Sequence, residues 1–241
     1  MTTPASPVAL VTGAGSGIGR AVALKLAAAG WQVALLGRRA AALEATLAAA
    51  GPAAAGRLAV LPCDIGDGAR VDQAVASALA RLGRIDVLVN AAGTNTPRRS
   101  LEELSRPDCR RLLATNLEGA FFCVQAVLPT MRRQAAGTIV NIVSDAGLIA
   151  NAKAGPAYVM AKFGLTGLTQ SINAEERARG IRACAIFPGD VDTPILALRP
   201  VPPPAAARAA MLQPEDVAEC VWLAINLPSR AIVESLVVRP R

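Results

Sequence analysis

The 241-residue chain contains no histidine, a single tyrosine and only 3% aromatic residues. Without histidine it cannot form a Ser-His-Asp triad, bind zinc through imidazole, or use imidazole as a general acid or base. Any proton transfer must therefore use another side chain. The shortage of aromatic rings also argues against a surface on which nucleic-acid bases stack.

The sequence shows neither a cysteine pair typical of metal or redox sites nor the start of a targeting signal. The five cysteines form no C-x-x-C pair, and the first ten residues have neither a basic start nor a long apolar run. The longest apolar stretch, residues 112–131, is interrupted by Asn116, Glu118, Gln125 and Pro129, which argues against a transmembrane helix. We therefore expect a cytoplasmic protein with reduced thiols and no membrane partner.

The net charge of +7 raises the question of an anionic partner. The 25 Lys and Arg residues are spread along the chain, with four separate Arg-Arg pairs and no long basic run. This distribution disfavours nucleic acid and suits a small phosphorylated ligand better. A sequence-independent nucleic-acid binder stays open as an alternative, which salt-dependent binding to plain duplex would reveal.

Apolar β-type segments alternate with helical patterns along the whole chain. Strands are predicted at residues 8–12, 31–36, 58–63, 85–90, 138–143, 181–187 and 235–239, and helices at about 18–30, 39–50, 67–82, within 100–135, 157–179 and 214–226. Apolar strands separated by helices indicate a parallel sheet covered on both faces. We therefore predict an α/β, Rossmann-like, doubly wound fold with a seven-stranded parallel sheet. It forms a single domain, residues 1–241, with a Pro-rich substrate lid at about 188–213.

The first predicted strand leads into a glycine-rich turn, TGAGSGIG at residues 12–19. Glycines there let backbone N–H groups and a helix N-terminus approach a pyrophosphate. The spacing departs from the common G-x-G-x-x-G fingerprint, because Ile18 stands where the third glycine would be. A tight strand-to-helix connection without a ligand is the alternative interpretation.

A second cofactor signal follows the second predicted strand. A carboxylate at this position would hold the ribose hydroxyls of NAD, but the chain has Gly37, Arg38 and Arg39. A guanidinium can bind a 2′-phosphate through its forked donors and stack on adenine. The pattern favours NADP (NADPH), with NAD possible. Alternatively, the two arginines only solvate the start of the next helix.

The only tyrosine, Tyr158, lies four residues before Lys162 on a predicted helix. Two side chains at this spacing share one helix face. The Lys162 ammonium could therefore stabilise a tyrosinate and lower the pKa of the phenol from about 10 toward the working range. Ser144 ends a predicted strand at the sheet edge where ligands bind in such folds. These residues form the candidate proton-transfer set.

In order and spacing these segments resemble the short-chain dehydrogenase/reductase (SDR) family, in its single-domain branch. The resemblance covers residues 8 to about 193, through TGAGSGIG (12–19), Asp64, NAAG (90–93), Asn116, Ser144, YVMAK (158–162) and PGDVDT (188–193). It implies an NADP-dependent oxidoreductase that interconverts an alcohol and a carbonyl on a small organic substrate by hydride transfer. It also implies a homodimer or homotetramer.

The resemblance implies a role for each matching residue. Tyr158 is expected to be the general acid/base, Ser144 to polarise the substrate oxygen, Lys162 to hold the nicotinamide ribose, and Asn116 to anchor a water relay. Asp64 is expected beside adenine, Asn90 to Gly93 on the adenosine side, and Val191 and Thr193 at the carboxamide. The expected cofactor site is Gly13, Ser16, Gly17, Ile18, Gly19, Arg38, Arg39, Asp64, Ile65, Asn90, Ala91, Ala92, Gly93, Tyr158, Lys162, Pro188, Gly189, Val191 and Thr193, with no metal.

Three departures from the family pattern bear on the substrate and the assembly. The motif NNAG is replaced by NAAG, the spacing from Ser144 to Tyr158 is about one residue longer than is common, and the tail lacks a closing glycine pair. The longer spacing predicts a reshaped pocket, for which the candidates are Asn95, Arg98, Asp145, Lys153 and the 194–213 loop. A nucleotide-sensing or scaffold protein on the same fold is the alternative function.

Two predicted helices, at about 112–131 and 157–174, are apolar on nearly every side. One apolar face can cover the sheet, and the second needs another cover. A partner subunit is the simplest cover, and a loop of the same chain is the alternative.

Overall fold

Seven apolar segments of the chain are strands, and all of them run parallel in one sheet. In this computed structural model, which describes residues 6–241, the strands are β1 Val8–Thr12, β2 Gln32–Gly37, β3 Leu58–Pro62, β4 Val87–Asn90, β5 Gly137–Ile142, β6 Ile181–Pro188 and β7 Ser235–Val238. Their order is β3-β2-β1-β4-β5-β6-β7. The predicted seven-stranded, doubly wound parallel sheet is confirmed.

The helices lie between the strands. They are α1 Gly17–Ala28, α2 Ala40–Ala49, α3 Pro52–Ala55, α4 Gly68–Leu82, α5 Arg106–Leu113, α6 Gly119–Gln134, α7 Pro156–Glu176, α8 Ala205–Ala209 and α9 Pro214–Asn226. A π-helical turn, Ala114–Glu118, joins α5 to α6, and 3₁₀ turns occur at Asp145–Gly147, Arg177–Arg179 and Pro194–Leu198. The sequence prediction missed α3, α8 and the π-helical turn, since segments this short have no measurable periodicity.

Alternate residues of each strand pack on opposite faces of the sheet, because side chains alternate along a strand. Val11 and Leu35 pack in one core cluster with α1, α2 and α9, whereas Leu10, Leu36 and Leu88 pack in the other with α4, α6 and α7. Both clusters are apolar and closed to solvent. This explains why the central strands are apolar throughout rather than at every second residue.

The strand order reverses at β1. The chain passes from β1 outward to β2 and β3, then crosses back to place β4 on the other side of β1. In open α/β sheets such a reversal leaves a crevice beyond the carboxyl ends of the two strands, and ligands bind there. The turn after β1 and the NAAG segment after β4 both lie at this crevice.

The helical stretch Arg106–Gln134 meets the length and hydropathy of a membrane span by composition alone. Core helices of globular folds meet the same criterion, and its Cys123, Val127 and Met131 are buried against the sheet. The packing agrees with the sequence argument against a transmembrane helix over 112–131.

The Pro-rich segment after β6 leaves the sheet and returns to its starting point. Val191 forms an isolated parallel bridge with Leu212, supported by hydrogen bonds from Asp192 N to Leu212 O and from Leu212 N to Asp190 O. Between them lie the Pro194–Leu198 turn and α8. The segment is therefore a closed loop that begins and ends beside the carboxyl end of β6.

Candidate active site

A cleft of about 540 Å³ opens beyond the carboxyl ends of the strands. The turn before α1, the segments after β4, β5 and β6, and the first turns of α7 form its walls. The predicted site residues that line it are Gly13, Ser16, Gly17, Ile18, Ala91, Gly93, Ser144, Tyr158, Lys162, Pro188, Gly189, Val191 and Thr193. Residues from five separate segments of the chain therefore meet in one place.

Other predicted site residues lie outside this lining: Gly19, Arg38, Arg39, Asp64, Ile65, Asn90, Ala92 and Asn116. Arg38 and Arg39 are exposed just beyond β2. Asp64 is partly buried after β3, where one of its carboxylate oxygens accepts a hydrogen bond from the Gly66 amide. Their expected contacts with the adenosine side of the cofactor stay predictions.

The glycine turn is a close-packed cradle. Gly13 and Gly17 adopt left-handed conformations, with φ of +67° and +51°, which favour glycine. A Cβ on Gly13 would lie 2.8 Å from Ala92 Cα, and one on Gly19 would lie 2.5 Å from Gly13 O. Only a chain without side chains at these positions can bring the turn, α1 and the segment after β4 so close together.

The N-terminus of α1 faces this cradle. Its N-cap residue, Ser16, makes no capping side-chain hydrogen bond, and no acidic side chain lies in the first turn. The first N–H groups of a helix have no partner within the helix and carry partial positive charge. The turn and α1 therefore fit the pyrophosphate of a dinucleotide, the ligand class expected from the glycine pattern.

Thr12 is a positioning residue to which the sequence analysis gave no role. Its hydroxyl oxygen accepts hydrogen bonds from the amides of Ala91 and Ala92, both at 3.1 Å. Thr12 is fully buried at the end of β1, so it links the carboxyl ends of β1 and β4. The available signal was a threonine that ends an apolar predicted strand directly before the glycine turn.

Asn90 lies beneath the cleft. Its amide nitrogen donates to Asn141 Oδ1 at 2.9 Å, and the Asn141 amide donates to Thr169 Oγ1 at 2.9 Å. This buried chain of hydrogen bonds joins β4, β5 and α7. Asn90 Oδ1 is buried without a hydrogen-bond partner among residues 6–241.

The predicted proton-transfer residues lie just after β5 and on α7. Lys162 Nζ donates a hydrogen bond to Ile142 O at 2.8 Å and lies 5.4 Å from the centroid of the Tyr158 ring. Ser144 Oγ donates to Asp145 Oδ1 at 2.9 Å and accepts from the Ala146 amide. The predicted Ser144, Tyr158 and Lys162 thus share one wall of the cleft.

Asn116 is held in the π-helical turn and is 1% exposed. Its side-chain oxygen accepts from the Thr94 amide at 2.9 Å, and its side-chain nitrogen donates to Thr94 O and Leu112 O. The side chain therefore fastens the segment after NAAG to the α5–α6 helix. Its expected role as the anchor of a water relay stays a prediction.

The structure corrects one pocket candidate. Asn95, Asp145 and Lys153 line the cleft as expected, but Arg98 is exposed and lies outside the lining. Its neighbour Arg99 lines the cleft instead. The segment has no regular periodicity, so the sequence could not tell which of two consecutive arginines turns inward.

Comparison with known proteins identifies the family of this chain. The short chain dehydrogenase family model matches residues 7–200. The chain belongs to the short-chain dehydrogenase family. Enzymes of this family act on CH–OH groups, and this oxidoreductase is one of them.

Individual relatives match over nearly the whole chain. An uncharacterized oxidoreductase of Staphylococcus aureus (strain MW2) is 32% identical over 240 residues, which covers all of both chains. The crystal structure of a metagenomic short-chain oxidoreductase in complex with NADP has a TM-score of 0.83 at 31% identity and covers 98% of each chain. Levodione reductase has a TM-score of 0.90 at 30% identity, covering 98% of this chain and 96% of that one.

The electrostatics of this short-chain dehydrogenase differ from the sequence expectation at Tyr158. Burial raises the pKa of the phenol to about 12, the Ser144 hydroxyl lowers it, and the Asp145 carboxylate raises it. Burial also lowers the pKa of Lys162 to about 8. The Tyr158 pKa is therefore above its usual value in this structure, because burial outweighs the groups that favour the tyrosinate. The expected lowering of this pKa by Lys162 stays a prediction.

Changing Asp145 and Ser144 should move the pH profile of alcohol oxidation in opposite directions. Oxidation needs the Tyr158 base, so its rate rises as the pH approaches the Tyr158 pKa. Asp145→Asn removes a charge that raises this pKa, and the rise in kcat/KM should begin at lower pH. Ser144→Ala removes the hydroxyl that lowers it, and the rise should begin at higher pH.

The measurement is kcat/KM for one alcohol across alkaline pH. Asp72→Asn, on the exposed side of α4, is the matched control and should leave the profile unchanged. Shifts in the same direction for the two cleft variants would contradict the assignment of these causes.

Proposed function

We propose that this enzyme is an NADP-dependent oxidoreductase that interconverts an alcohol and a carbonyl on a small organic substrate. Ser144, Tyr158, Lys162 and Asn116 form its proton relay. The observation that carries the proposal is the meeting of Ser144, Tyr158 and Lys162 with the glycine cradle in one cleft. Levodione reductase and the metagenomic NADP complex support it as structural neighbours.

The cofactor site runs along the edge of the sheet. Gly13, Ser16, Gly17, Ile18 and Gly19 would hold the pyrophosphate at the start of α1. Lys162 would hold the nicotinamide ribose. The remaining contacts would come from Asp64, Ile65 and residues 90–93 on the adenosine side, and from Pro188, Gly189, Val191 and Thr193 at the nicotinamide. The dinucleotide, when bound, supplies or accepts the hydride.

The end of β2 supports NADP over NAD. Gly37 offers no carboxylate to ribose hydroxyls, and Arg38 and Arg39 follow it on the surface. Neither guanidinium has a hydrogen-bond partner or an ion pair within residues 6–241. A 2′-phosphate placed beyond β2 could therefore bind two guanidinium groups that have no other partner among residues 6–241.

The chain's own residues would move the proton. In the reducing direction an alkoxide develops on the substrate oxygen, and Tyr158 Oη gives it a proton while Ser144 Oγ donates a hydrogen bond. Ser144 must turn its hydroxyl hydrogen from Asp145 Oδ1 to the substrate for this. In the oxidising direction Tyr158 takes the proton from the alcohol.

The proposal also includes the enzyme's cellular location, its substrate lid and its partners. We infer a cytoplasmic enzyme, supported by five cysteines that are all free thiols, with neither nucleic acid nor membrane as a partner. The closed loop at 188–213 is proposed as the substrate lid, because it covers the end of the cleft that Pro194 and Leu198 line. Family membership favours this enzyme over the nucleotide-sensing alternative.

The assembly is proposed to be a homodimer or homotetramer formed through α6 and α7. Phe121, Met160 and Phe163 on these helices are 41%, 49% and 45% exposed. Exposed large apolar side chains on helices that also cover the sheet favour an interface with a partner subunit.

Tyr158→Phe should abolish turnover and leave cofactor affinity largely intact. The phenyl ring fills the same space without a proton to give, and loss of acid/base catalysis typically costs about 10²- to 10⁴-fold in rate. Steady-state kinetics and titration of NADPH binding measure the two effects. Lys162→Ala should reduce both rate and cofactor affinity. Activity above about a tenth of wild type in Tyr158→Phe would overturn the assigned role.

Gly37→Asp combined with Arg38→Leu should reverse the cofactor preference. The new carboxylate would hold ribose hydroxyls and repel a 2′-phosphate, and the Arg38 guanidinium that could bind this phosphate would be absent. A Cβ at Gly37 would meet only the end of the Leu43 side chain, at 3.2 Å, so the fold should tolerate it. The measurement is the NADP/NAD ratio of kcat/KM, with Gly37→Ala as the control. An unaltered ratio in the double variant argues against recognition at this site.

Light scattering should give a mass at least twice the 24.7 kDa of one chain. Phe163→Glu should shift the protein toward monomer, because a charge would be buried at the interface. Val201→Glu, at an 82% exposed position in the loop, is the control and should leave the mass unchanged. A wild-type mass of about 24.7 kDa at micromolar concentration is the result that refutes assembly.

A further inference from the structure

The substrate end of the cleft has more positive than negative charge. Beyond Lys162, which belongs to the proton-transfer set, the charged residues of the lining are Arg99, Lys153 and Arg199 against Asp145 and Asp190. These five side chains carry a formal excess of one positive charge. Inside a cleft with partly buried walls, such an excess acts more strongly than it would on an open surface.

Of the three cations, Arg99 is the one that forms no ion pair with a carboxylate in the described part of the chain. The residue is only 6% exposed, and it donates hydrogen bonds to three backbone carbonyls, those of Thr96, Lys153 and Leu198. No ion pair involving it occurs within residues 6–241. Burying a guanidinium without an opposite charge is costly, so this group is suited to an anion that arrives from outside. Burial and the nearby Arg199 lower the pKa of Arg99, which reflects this unbalanced charge.

Arg199 and Lys153 share one carboxylate. Arg199 Nη2 donates to Asp190 Oδ1 at 2.6 Å, and Lys153 Nζ donates to Asp190 Oδ2 at 2.6 Å. Asp190 therefore positions both cations but balances only one of them. The Arg199 side chain is 17% exposed and Lys153 is 54% exposed, so Arg199 is the inner member and Lys153 lies at the rim.

The two arginines line the same cleft as Ser144 and Tyr158. Both guanidiniums also lower the pKa of the Tyr158 phenol. A substrate group that binds them would therefore share this cleft with the carbonyl or alcohol group that faces Tyr158.

We propose that the substrate carries a carboxylate, bound by Arg99 and Arg199, beside the carbonyl or alcohol group that faces Tyr158. This inference rests on the proposed oxidoreductase function and narrows its substrate class to hydroxy acids and the corresponding oxo acids. A guanidinium fork matches the two oxygens of a carboxylate. The single excess charge suits a monoanion better than the dianion of a phosphate ester.

Arg99 has a rival role as a structural link between three loops, through the carbonyls of Thr96, Lys153 and Leu198. The guanidinium of Arg199 makes no hydrogen bond to the backbone in the described part of the chain. Arg199→Met therefore removes a cation and its ion pair with Asp190, whose other oxygen still accepts from Lys153. Arg98→Met is the matched control, since Arg98 is adjacent to Arg99 but exposed outside the cleft.

The binding experiment does not depend on turnover. Isobutyrate, the neutral isobutyramide and inorganic phosphate are titrated calorimetrically into the protein saturated with NADP⁺, which keeps anions from the glycine cradle. Isobutyrate should bind, and isobutyramide should bind at least about tenfold more weakly. Arg199→Met should weaken the binding of isobutyrate by about 10- to 100-fold. Arg98→Met should have no effect. Equal binding of acid and amide, no effect of Arg199→Met, or tighter binding of phosphate than of isobutyrate would overturn the proposal.

Turnover separates this inference from the proposed function. Acetoacetate and its methyl ester are offered with NADPH, and the acid should have the higher kcat/KM, with the preference lost in Arg199→Met. If the ester is reduced faster than the acid, the carboxylate assignment is wrong and the oxidoreductase function stands. If isobutyrate binds as expected but no alcohol or carbonyl is turned over, the anion site stands and the proposed function fails.

Discussion

The close approach of two strand ends is the constraint on which the rest of the molecule depends. The glycine turn after β1 lies against the backbone after β4, and a Cβ on Gly13 would already be 2.8 Å from Ala92 Cα. Thr12 holds the approach through two amide hydrogen bonds. This contact places the N-terminus of α1 at the reversal of strand order, and so it determines where a dinucleotide can lie relative to β5 and α7. Ser144 and Tyr158 can face a bound dinucleotide only because the cleft opens where the strand order reverses.

A chain without histidine must do its acid/base chemistry with another side chain, and for the proposed Tyr158 phenol the surrounding charges decide how readily it loses its proton. Burial and Asp145 hold the proton on Tyr158, whereas Ser144 and two arginines favour its release. The arginines ease deprotonation of Tyr158. With the proposed substrate carboxylate, the same positive potential would serve both catalysis and substrate selection.

Most of the fold could be predicted because its signals are local. Strand apolarity, helical spacing and the glycine turn lie within windows of five to twenty residues, and the helix Pro214–Asn226 was predicted to the residue. Errors arose where a tertiary contact overrides the pattern. β4 begins at Val87 rather than at residue 85, where the Asp86 carboxylate instead binds Arg84 and the Val8 amide. The π-helical turn that holds Asn116 has no pattern of its own in the sequence.

The sequence by itself determined the seven-stranded α/β fold and the order of the motifs, including the Tyr158 and Lys162 spacing, because neighbouring residues encode strands, turns and helix faces. Only the tertiary structure decided that Arg99 rather than Arg98 turns into the cleft, and that Lys162 Nζ bonds to Ile142 O. It also decided that burial outweighs the cations at Tyr158. These outcomes depend on side chains brought together from distant segments. Burial and Coulomb interactions are properties of that arrangement in space, and no local window of sequence contains them.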